Sequence, residues 1–168
     1  MEIHKDMWPG HVLALLENQI TNFRTGNLEV KVQLNVWTSD LINQSAPIFL
    51  YRFPDNSTEV QAMKVHLTRK WKIDTTNFSF VLQFMTKDSY IPWHDDKGFN
   101  FVSTTYLNKD WKYDWGGAFL YVDEKDENRF LYPEYNTATK YDKNSHSVTK
   151  IAELPPNNYR TVLQVFGS

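Results

Sequence analysis

The chain has 168 residues, of which 41% are hydrophobic and 15% aromatic, and its formal net charge is -2. This length suffices for one well-filled domain and is short for two, so we expect a single domain over residues 1–168. The near-neutral charge provides no extended basic field for nucleic acid, and the absence of cysteine excludes disulfides, thiolate metal sites and cysteine nucleophiles.

The N-terminal segment carries no targeting signal that we can identify. Residues 1–6 lack the basic-then-apolar order of a signal peptide, and no stretch reaches the roughly 18 apolar residues of a membrane span. We therefore expect a cytoplasmic protein without a membrane partner. From about residue 7, apolar positions at helical spacing predict an amphipathic helix that buries Leu13, Leu16 and Ile20.

Two strands and a second helix are predicted next. Alternating apolar residues indicate a strand over residues 28–36 and another over 47–53. The clearest helix covers residues 55–71, where Asn56 and Glu59 have the spacing of a capping-box variant. Its apolar face contains Val60, Met63 and Leu67.

The C-terminal part is predicted to consist of many short strands joined by turns rich in Asp, Asn, Lys and Gly. The candidate strands are residues 78–84, 100–107, 117–122, 138–141, 147–151 and 160–166. This pattern indicates an antiparallel sandwich or barrel. We therefore expect an α+β fold dominated by β, in which residues 1–75 support a functional core at 76–168.

A possible metal site begins at His94. In an extended strand, residues i and i+2 point to the same side, so His94 and Asp96 can bind one ion. His146, from a distant strand, would be the third ligand. Two imidazoles and one carboxylate on one face of an octahedron are typical of non-haem Fe(II) oxygenases. Taken alone, the His-x-Asp motif is roughly four times more often an Asp-rich surface loop that happens to contain a histidine than a metal site.

The sequence between the two histidines carries a resemblance to a known family. Residues 106–111 read Tyr-Leu-Asn-Lys-Asp-Trp, and Trp115-Gly116-Gly117 precedes an apolar strand. This run is similar to the Fe(II)/2-oxoglutarate-dependent dioxygenases, within them the prolyl-hydroxylase-like group that includes the hypoxia-inducible-factor prolyl hydroxylases. The resemblance covers residues 78–166. It implies a double-stranded β-helix, or jelly roll, of two four-stranded sheets with the helices packed outside the major sheet.

The resemblance also assigns ligand-binding roles. It implies that His94, Asp96 and His146 bind Fe(II), and that Arg160 and Tyr106 bind the distal carboxylate of 2-oxoglutarate. A guanidinium suits that task because its planar fork matches a carboxylate.

Two features depart from the family pattern. Fourteen positions separate His146 from Arg160, against about ten in the family, which predicts a longer turn. Phe84 stands where close relatives have a second cosubstrate tyrosine. We therefore expect Gln83, Tyr90 or Gln164 to complete the polar pocket, with Gln164 as the named candidate.

The reaction implied by the resemblance is hydroxylation of an unactivated C–H bond, with Fe(II), 2-oxoglutarate and O2, and with ascorbate as a candidate reductant. The expected substrate is a prolyl residue in a peptide or protein. A free amino acid or other small metabolite, and a non-catalytic metal-binding jelly-roll module, remain alternatives. Trp37, Trp93 and Tyr90 are the candidate substrate-binding residues, because they lie in or beside segments expected to border the metal.

Overall fold

The computed structural model describes residues 1–33, 46–141, 145–155 and 158–168. In this part of the chain there are eleven strands, two α-helices and a short 3-10 helix at Tyr113–Trp115. Their bounds are β1 Glu2–His4, α1 Gly10–Arg24, β2 Lys31–Gln33, β3 Ile48–Arg52, α2 Thr58–Trp71, β4 Phe78–Met85, β5 Ile91–His94, β6 Phe101–Tyr106, β7 Phe119–Val122, β8 Asn128–Leu131, β9 Ala138–Tyr141, β10 His146–Val148 and β11 Arg160–Gly167.

The strands form two antiparallel sheets. The larger has seven strands in the order β1-β9-β6-β11-β4-β3-β2, and the smaller has four in the order β5-β10-β7-β8. The sequence prediction of two four-stranded sheets is thus wrong for the larger one. Its central strands are β9, β6, β11 and β4, and β1 on one edge and β3 and β2 on the other extend it.

The two helices pack on one face of the seven-stranded sheet. Helix α1 buries Val12, Leu16 and Ile20 in a hydrophobic cluster with α2 and the sheet, whereas Leu13 is only partly buried. Met63, which lies on the predicted apolar face of α2, is buried in the same cluster. Three buried side chains per helix at this spacing give the narrow apolar stripe that holds a helix on a sheet.

The N-cap of α2 lies one residue after the predicted cap. Ser57, and not Asn56, is the N-cap, and its hydroxyl accepts a hydrogen bond from the Val60 amide at 3.2 Å. The helix ends where Lys72 adopts the left-handed conformation, with φ of 57°. A serine cap of this kind contributes about 1 kcal/mol to helix stability.

Alternation along β4 determines which of its side chains face the interior between the sheets. Phe80 and Phe84 belong to the cluster beneath the helices, whereas Met85 belongs to a second cluster formed by residues of both sheets. Phe84 stacks on Phe23 with ring centroids 3.9 Å apart. Phe84, which stands where the family that the sequence resembles has a second tyrosine, therefore lies on the helix side of the sheet. Its neighbours Gln83 and Met85 lie on the other side.

Strands β1, β5 and β8 were not predicted from the sequence. Of the strand predicted at 28–36, Lys31–Gln33 is confirmed, and residues 34–36 lie outside the described part of the chain. None of the described helices has the length and apolar character needed to cross a membrane.

Candidate metal and carboxylate site

Strand pairing places the two predicted histidine ligands opposite each other. His94 is the last residue of β5 and His146 the first residue of β10, and the two are direct partners in the antiparallel register. Directly opposed side chains in such a pair have Cβ atoms about 4.5–5.5 Å apart. Asp96 follows β5 by two residues, so its carboxylate reaches the same side as the His94 ring.

The three predicted ligands converge. Asp96 Oδ1 lies 3.6 Å from His94 Nε2, and Asp96 Oδ2 lies 3.5 Å from His146 Nε2. One ligand atom from each residue lies within 4.8 Å of the others. His94 Nδ1 is 2.8 Å from the Pro92 carbonyl oxygen, which can only accept, so Nδ1 donates to it and Nε2 faces the other two predicted ligands. This arrangement is typical of metal-binding histidines.

The His146 ring is held by aromatic neighbours. It stacks on Phe119 with centroids 5.3 Å apart, and the Tyr141 ring meets it edge-on at 4.7 Å. The Tyr141 hydroxyl lies 3.4 Å from Thr104 Oγ1. Burial raises the pKa of the Tyr141 phenol, so the hydroxyl stays protonated. Sequence reasoning missed Tyr141 and Thr104, although Thr104 precedes Tyr106 by two residues and therefore shares its face of β6.

Arg160 is a buried cation at the start of β11. It is 1% exposed; its Nε donates to the Gly117 carbonyl oxygen at 2.9 Å, and its Nη1 to Met85 Sδ at 3.2 Å. Its Nη2 has no hydrogen-bond partner among the described residues. Burial lowers the pKa of Arg160. An uncompensated buried charge costs several kcal/mol, so this position favours a bound anion.

Tyr106 provides a second unpartnered donor beside Arg160. The guanidinium carbon lies 5.4 Å from the Tyr106 ring centroid, and within the described part of the chain the buried phenol oxygen has no hydrogen-bond partner. Burial raises the pKa of Tyr106 to about 12. At neutral pH the hydroxyl therefore keeps its proton. It can donate a hydrogen bond to a carboxylate that also accepts one from Arg160 Nη2.

The Gly116-Gly117 pair allows Arg160 to occupy its position. Both glycines have positive φ, 74° and 70°. A Cβ on Gly117 would lie 2.7 Å from Arg160 Cδ, and a Cβ on Gly116 would lie 2.1 Å from the Lys150 carbonyl oxygen. The pair therefore combines positive φ at both positions with a close approach of two segments. Trp111 Nε1 donates to the Gly116 carbonyl oxygen at 3.0 Å and fixes the turn.

The asparagine of the Tyr-Leu-Asn run also positions Arg160. Asn108 Nδ2 donates to the Tyr159 carbonyl oxygen, and Asn108 Oδ1 accepts from the Thr161 amide, both at 2.7 Å. These two hydrogen bonds fix the backbone on both sides of Arg160. The motif thus contributes both a donor, Tyr106, and a clamp for the arginine strand.

Two adjoining cavities lie beside the three predicted metal ligands and Arg160, and Tyr106 lines neither of them. The inner cavity has a volume of about 20 Å³ and is lined by Gln83, Ile91, His94, Thr104, Phe119, Tyr141, His146, Val148, Arg160 and Gln164. The outer cavity has a volume of about 210 Å³ and is lined by Leu50, Val81, Gln83, Ile91, His94, Asp96, Gln164 and Phe166. Both cavities reach His94, so the predicted metal position lies where they meet.

The remaining predicted site residues are distributed unevenly. Gln164 lines both cavities. Trp93 directly precedes His94 and is 49% exposed, and Tyr90 is half-buried; neither lines the inner or the outer cavity. Trp37 lies outside the described residues.

A larger groove lies away from the triad. It has a volume of about 400 Å³ and lies between α1 and the segment after β6. Its charged side chains include Lys109 and Glu17, which pair with each other at 2.6 Å. The groove contains none of the residues that converge on the metal position, so we assign it no role in the chemistry.

Comparisons with known proteins identify the fold. No protein-family profile and no curated protein sequence matches the chain. Among solved structures, a prolyl-4-hydroxylase from Pseudomonas putida aligns over 99% of this chain and 91% of its own, with TM-score 0.70 and 13% identity. A prolyl hydroxylase from Trichoplax adhaerens, in complex with a hypoxia-inducible-factor peptide fragment, aligns over 98% and 81%, with TM-score 0.72 and 12% identity.

The chain has the fold of the 2-oxoglutarate/Fe(II) oxygenases. A third neighbour, a 2OG-Fe(II) oxygenase family member from Burkholderia pseudomallei, aligns over 96% of this chain and 81% of its own, with TM-score 0.68 and 15% identity. The predicted resemblance is thereby confirmed at the level of fold. It also extends further than the sequence indicated, because residues 78–166 alone carried recognisable motifs, whereas the structural match includes the N-terminal helices and strands.

Proposed function

We propose that this protein is an Fe(II)- and 2-oxoglutarate-dependent dioxygenase that hydroxylates an unactivated C–H bond, with a prolyl residue in a peptide or protein as the substrate. The observation that carries the proposal is that a His-Asp-His cluster and a buried arginine lie beside one cavity. The Nη2 of this arginine has no hydrogen-bond partner among the described residues. The oxygenase fold supports it, as does the peptide bound to the Trichoplax adhaerens neighbour. The proposed architecture is a double-stranded β-helix whose major sheet is centred on β9, β6, β11 and β4.

The donor set fits Fe(II). His94 and His146 would supply neutral imidazole nitrogens and Asp96 an anionic oxygen, which suits a 2-His-1-carboxylate iron site with open positions. Fe(II) with 2-oxoglutarate and O2 supplies the hydroxylating chemistry, releasing succinate and carbon dioxide. The Pro92 carbonyl holds the His94 tautomer, and Phe119 and Tyr141 hold the His146 ring, so the protein orients its ligands before the ion binds.

The polar groups at the inner cavity suit a dicarboxylate. Arg160 Nη2 and the Tyr106 hydroxyl would donate to the distal carboxylate, and Gln164 would lie toward the metal-facing end of the same cosubstrate. Because all three residues are buried or half-buried, hydrogen bonds to the carboxylate would be made in a low-dielectric surrounding, where charge-assisted bonds are strong.

The test is a direct assay of the purified protein with Fe(II), ascorbate and 2-oxoglutarate. We expect succinate to form, and to form faster when a suitable prolyl peptide is added. Hydroxylated peptide would be detected as a mass increase of one oxygen. If neither Fe(II) nor 2-oxoglutarate binds and no succinate appears with any peptide, the protein is not an oxygenase and a non-catalytic role is favoured instead.

A further inference from the structure

Tyr141 carries a buried hydroxyl to which the proposed iron and cosubstrate sites give no function. The residue ends β9, is 4% exposed, and lines the inner cavity together with His94 and His146. Its ring meets the His146 ring edge-on, with centroids 4.7 Å apart. That packing would be the same for a phenylalanine, whereas a buried hydroxyl costs free energy unless it is hydrogen-bonded. The oxygen of Tyr141 therefore needs a partner that the ring contact does not provide.

Two neighbouring groups can partner with the Tyr141 hydroxyl. Thr104 Oγ1 lies 3.4 Å away, which is long for a hydrogen bond between two oxygens. Burial raises the pKa of the Tyr141 phenol, and the Asp96 carboxylate raises it further, by its charge and by accepting a hydrogen bond. Both effects of Asp96 require its carboxylate to lie close to the hydroxyl. A hydrogen bond to an ionised acceptor is the stronger kind, so Asp96 is the favoured partner.

The Asp96 carboxylate directs one oxygen toward each histidine. Oδ1 lies 3.6 Å from His94 Nε2, and Oδ2 lies 3.5 Å from His146 Nε2. Neither oxygen is therefore turned away from the position that the three predicted ligands define. A carboxylate can bind a cation through one oxygen or through both. Binding through both would use one of the positions that a 2-His-1-carboxylate site leaves open.

We propose that Tyr141 is a positioning residue, whose hydroxyl donates a hydrogen bond to one Asp96 oxygen and thereby restricts Asp96 to a single bond with the metal. The other oxygen then binds the ion, and the positions needed by a chelating cosubstrate and by O2 stay open. This inference rests on the proposed oxygenase function. It adds a residue of β9 that neither the sequence motifs nor the family resemblance indicated.

The experiment counts the water molecules bound to Mn(II) in the purified protein without 2-oxoglutarate. Mn(II) favours octahedral sites, and its unpaired electrons relax the protons of bound water. Wild type should hold about three exchangeable waters and Tyr141→Phe about two, because Asp96 would then be free to bind through both oxygens. Tyr121→Phe is the matched control and should keep the wild-type count. Tyr121 is the register partner of His146 on β7 and is half-buried.

Binding of 2-oxoglutarate separates this role from a direct contact with the cosubstrate. With Mn(II) bound, Tyr141→Phe should weaken 2-oxoglutarate by about fivefold or more, since the second Asp96 oxygen competes with chelation. With EDTA in place of the metal, the affinity should stay within about twofold of wild type, because Arg160 and Tyr106 are unchanged. Tyr121→Phe should alter neither affinity. Thermal unfolding of each variant checks that it is folded.

Several results would overturn the inference. About two bound waters in wild type would show that Asp96 binds through both oxygens in spite of Tyr141, and this measurement does not depend on any variant. An unchanged count in Tyr141→Phe, or an equal fall in Tyr121→Phe, would show that the Tyr141 hydroxyl does not restrain Asp96. An equal loss of 2-oxoglutarate affinity with and without metal would place the hydroxyl on the cosubstrate instead.

Failure of the oxygenase proposal itself is distinguishable. Wild type would then bind neither Mn(II) nor 2-oxoglutarate, and the role of Tyr141 would fall with it. If only the role of Tyr141 is wrong, wild type binds both, and Tyr141→Phe behaves as Tyr121→Phe does.

Discussion

The unsatisfied donor groups of Arg160 and Tyr106 indicate which kind of ligand would bind beside them. Both are fully buried, each has a polar atom without a hydrogen-bond partner among the described residues, and the Arg160 guanidinium carbon lies 5.4 Å from the Tyr106 ring centroid. A carboxylate is the group that satisfies a guanidinium and a neutral phenol together. The geometry therefore supports the role that the resemblance implied for these two residues.

The first prediction concerns this pair. Arg160→Lys keeps the charge but loses the fork, so the Michaelis constant for 2-oxoglutarate should rise by about an order of magnitude. Tyr106→Phe should raise it by a smaller factor. Steady-state succinate formation measures both, and Arg69→Lys, on the exposed side of α2, is the control. An unchanged 2-oxoglutarate dependence in both site variants would mean that the carboxylate binds elsewhere.

The second prediction concerns the metal ligands. His94→Ala should abolish Fe(II) or Mn(II) binding with little change in the thermal unfolding midpoint, because an open catalytic site does not hold the fold together. Calorimetric titration with Mn(II) measures the loss. The control is His11→Ala, which removes an exposed histidine from α1. Wild-type affinity in the His94 variant would refute the triad.

At the scale of elements, the sequence predicts strands in which apolar and polar residues alternate, because this alternation indicates that one face is buried. Strand β9 was predicted with the bounds that the structure shows, Ala138–Tyr141. Strand β5 was missed because Pro92, Trp93 and His94 give it no apolar alternation, although it carries an expected metal ligand. The sequence could not indicate the face on which Phe84 lies, because most of β4 is buried on both sides and hydrophobicity does not alternate along it.

The way in which the strands pair and pack explains which site residues could be predicted from the sequence. The triad was predicted because His94 and Asp96 are neighbours in sequence and His146 lies in a recognisable spacing. Tyr141 could not be found in this way, since its contact with His146 depends on how β9 and β10 are placed in two different sheets. Such long-range placement is determined by packing of the whole domain and leaves no local signal.

The third prediction tests the Gly116-Gly117 turn. Gly117→Ala should displace Arg160, because the added Cβ would lie 2.7 Å from Arg160 Cδ, and 2-oxoglutarate affinity should fall by roughly tenfold or more. Gly98→Ala is a matched control. It also places alanine at positive φ, here 107°, but nothing lies within 4 Å of the added atom. Both variants bear backbone strain, so an equal effect on affinity would assign the loss to strain and not to Arg160.

At the scale of the whole molecule, the seven-stranded sheet separates two kinds of interior. Its helix-facing side is a continuous apolar cluster built from α1, α2 and the sheet. Its other side combines apolar packing with Arg160, Tyr106, Thr104 and Gln83. The first side stabilises the domain, and the second bears the cost of buried polar groups, a cost that ligands can offset.

The last prediction follows from that division. If Arg160 is a buried cation awaiting a carboxylate, 2-oxoglutarate should stabilise the protein even with EDTA present, because binding to the native state alone shifts the unfolding equilibrium. At a hundredfold excess over its dissociation constant the gain is about 2.7 kcal/mol. For a domain of this size that corresponds to a rise of about 5–10 °C in the unfolding midpoint.

Arg160→Met separates this effect from ordinary ligand binding. The substitution removes the buried charge and keeps an unbranched apolar side chain in its place, so the ligand-free protein should unfold at the wild-type temperature or above it. It should also lose the stabilisation by 2-oxoglutarate. Differential scanning fluorimetry with and without 2-oxoglutarate, in EDTA, measures both quantities, and acetate serves as the monocarboxylate control. A lower midpoint in the ligand-free variant would show that Arg160 stabilises the fold through Gly117 and Met85, and that its unpartnered Nη2 costs little.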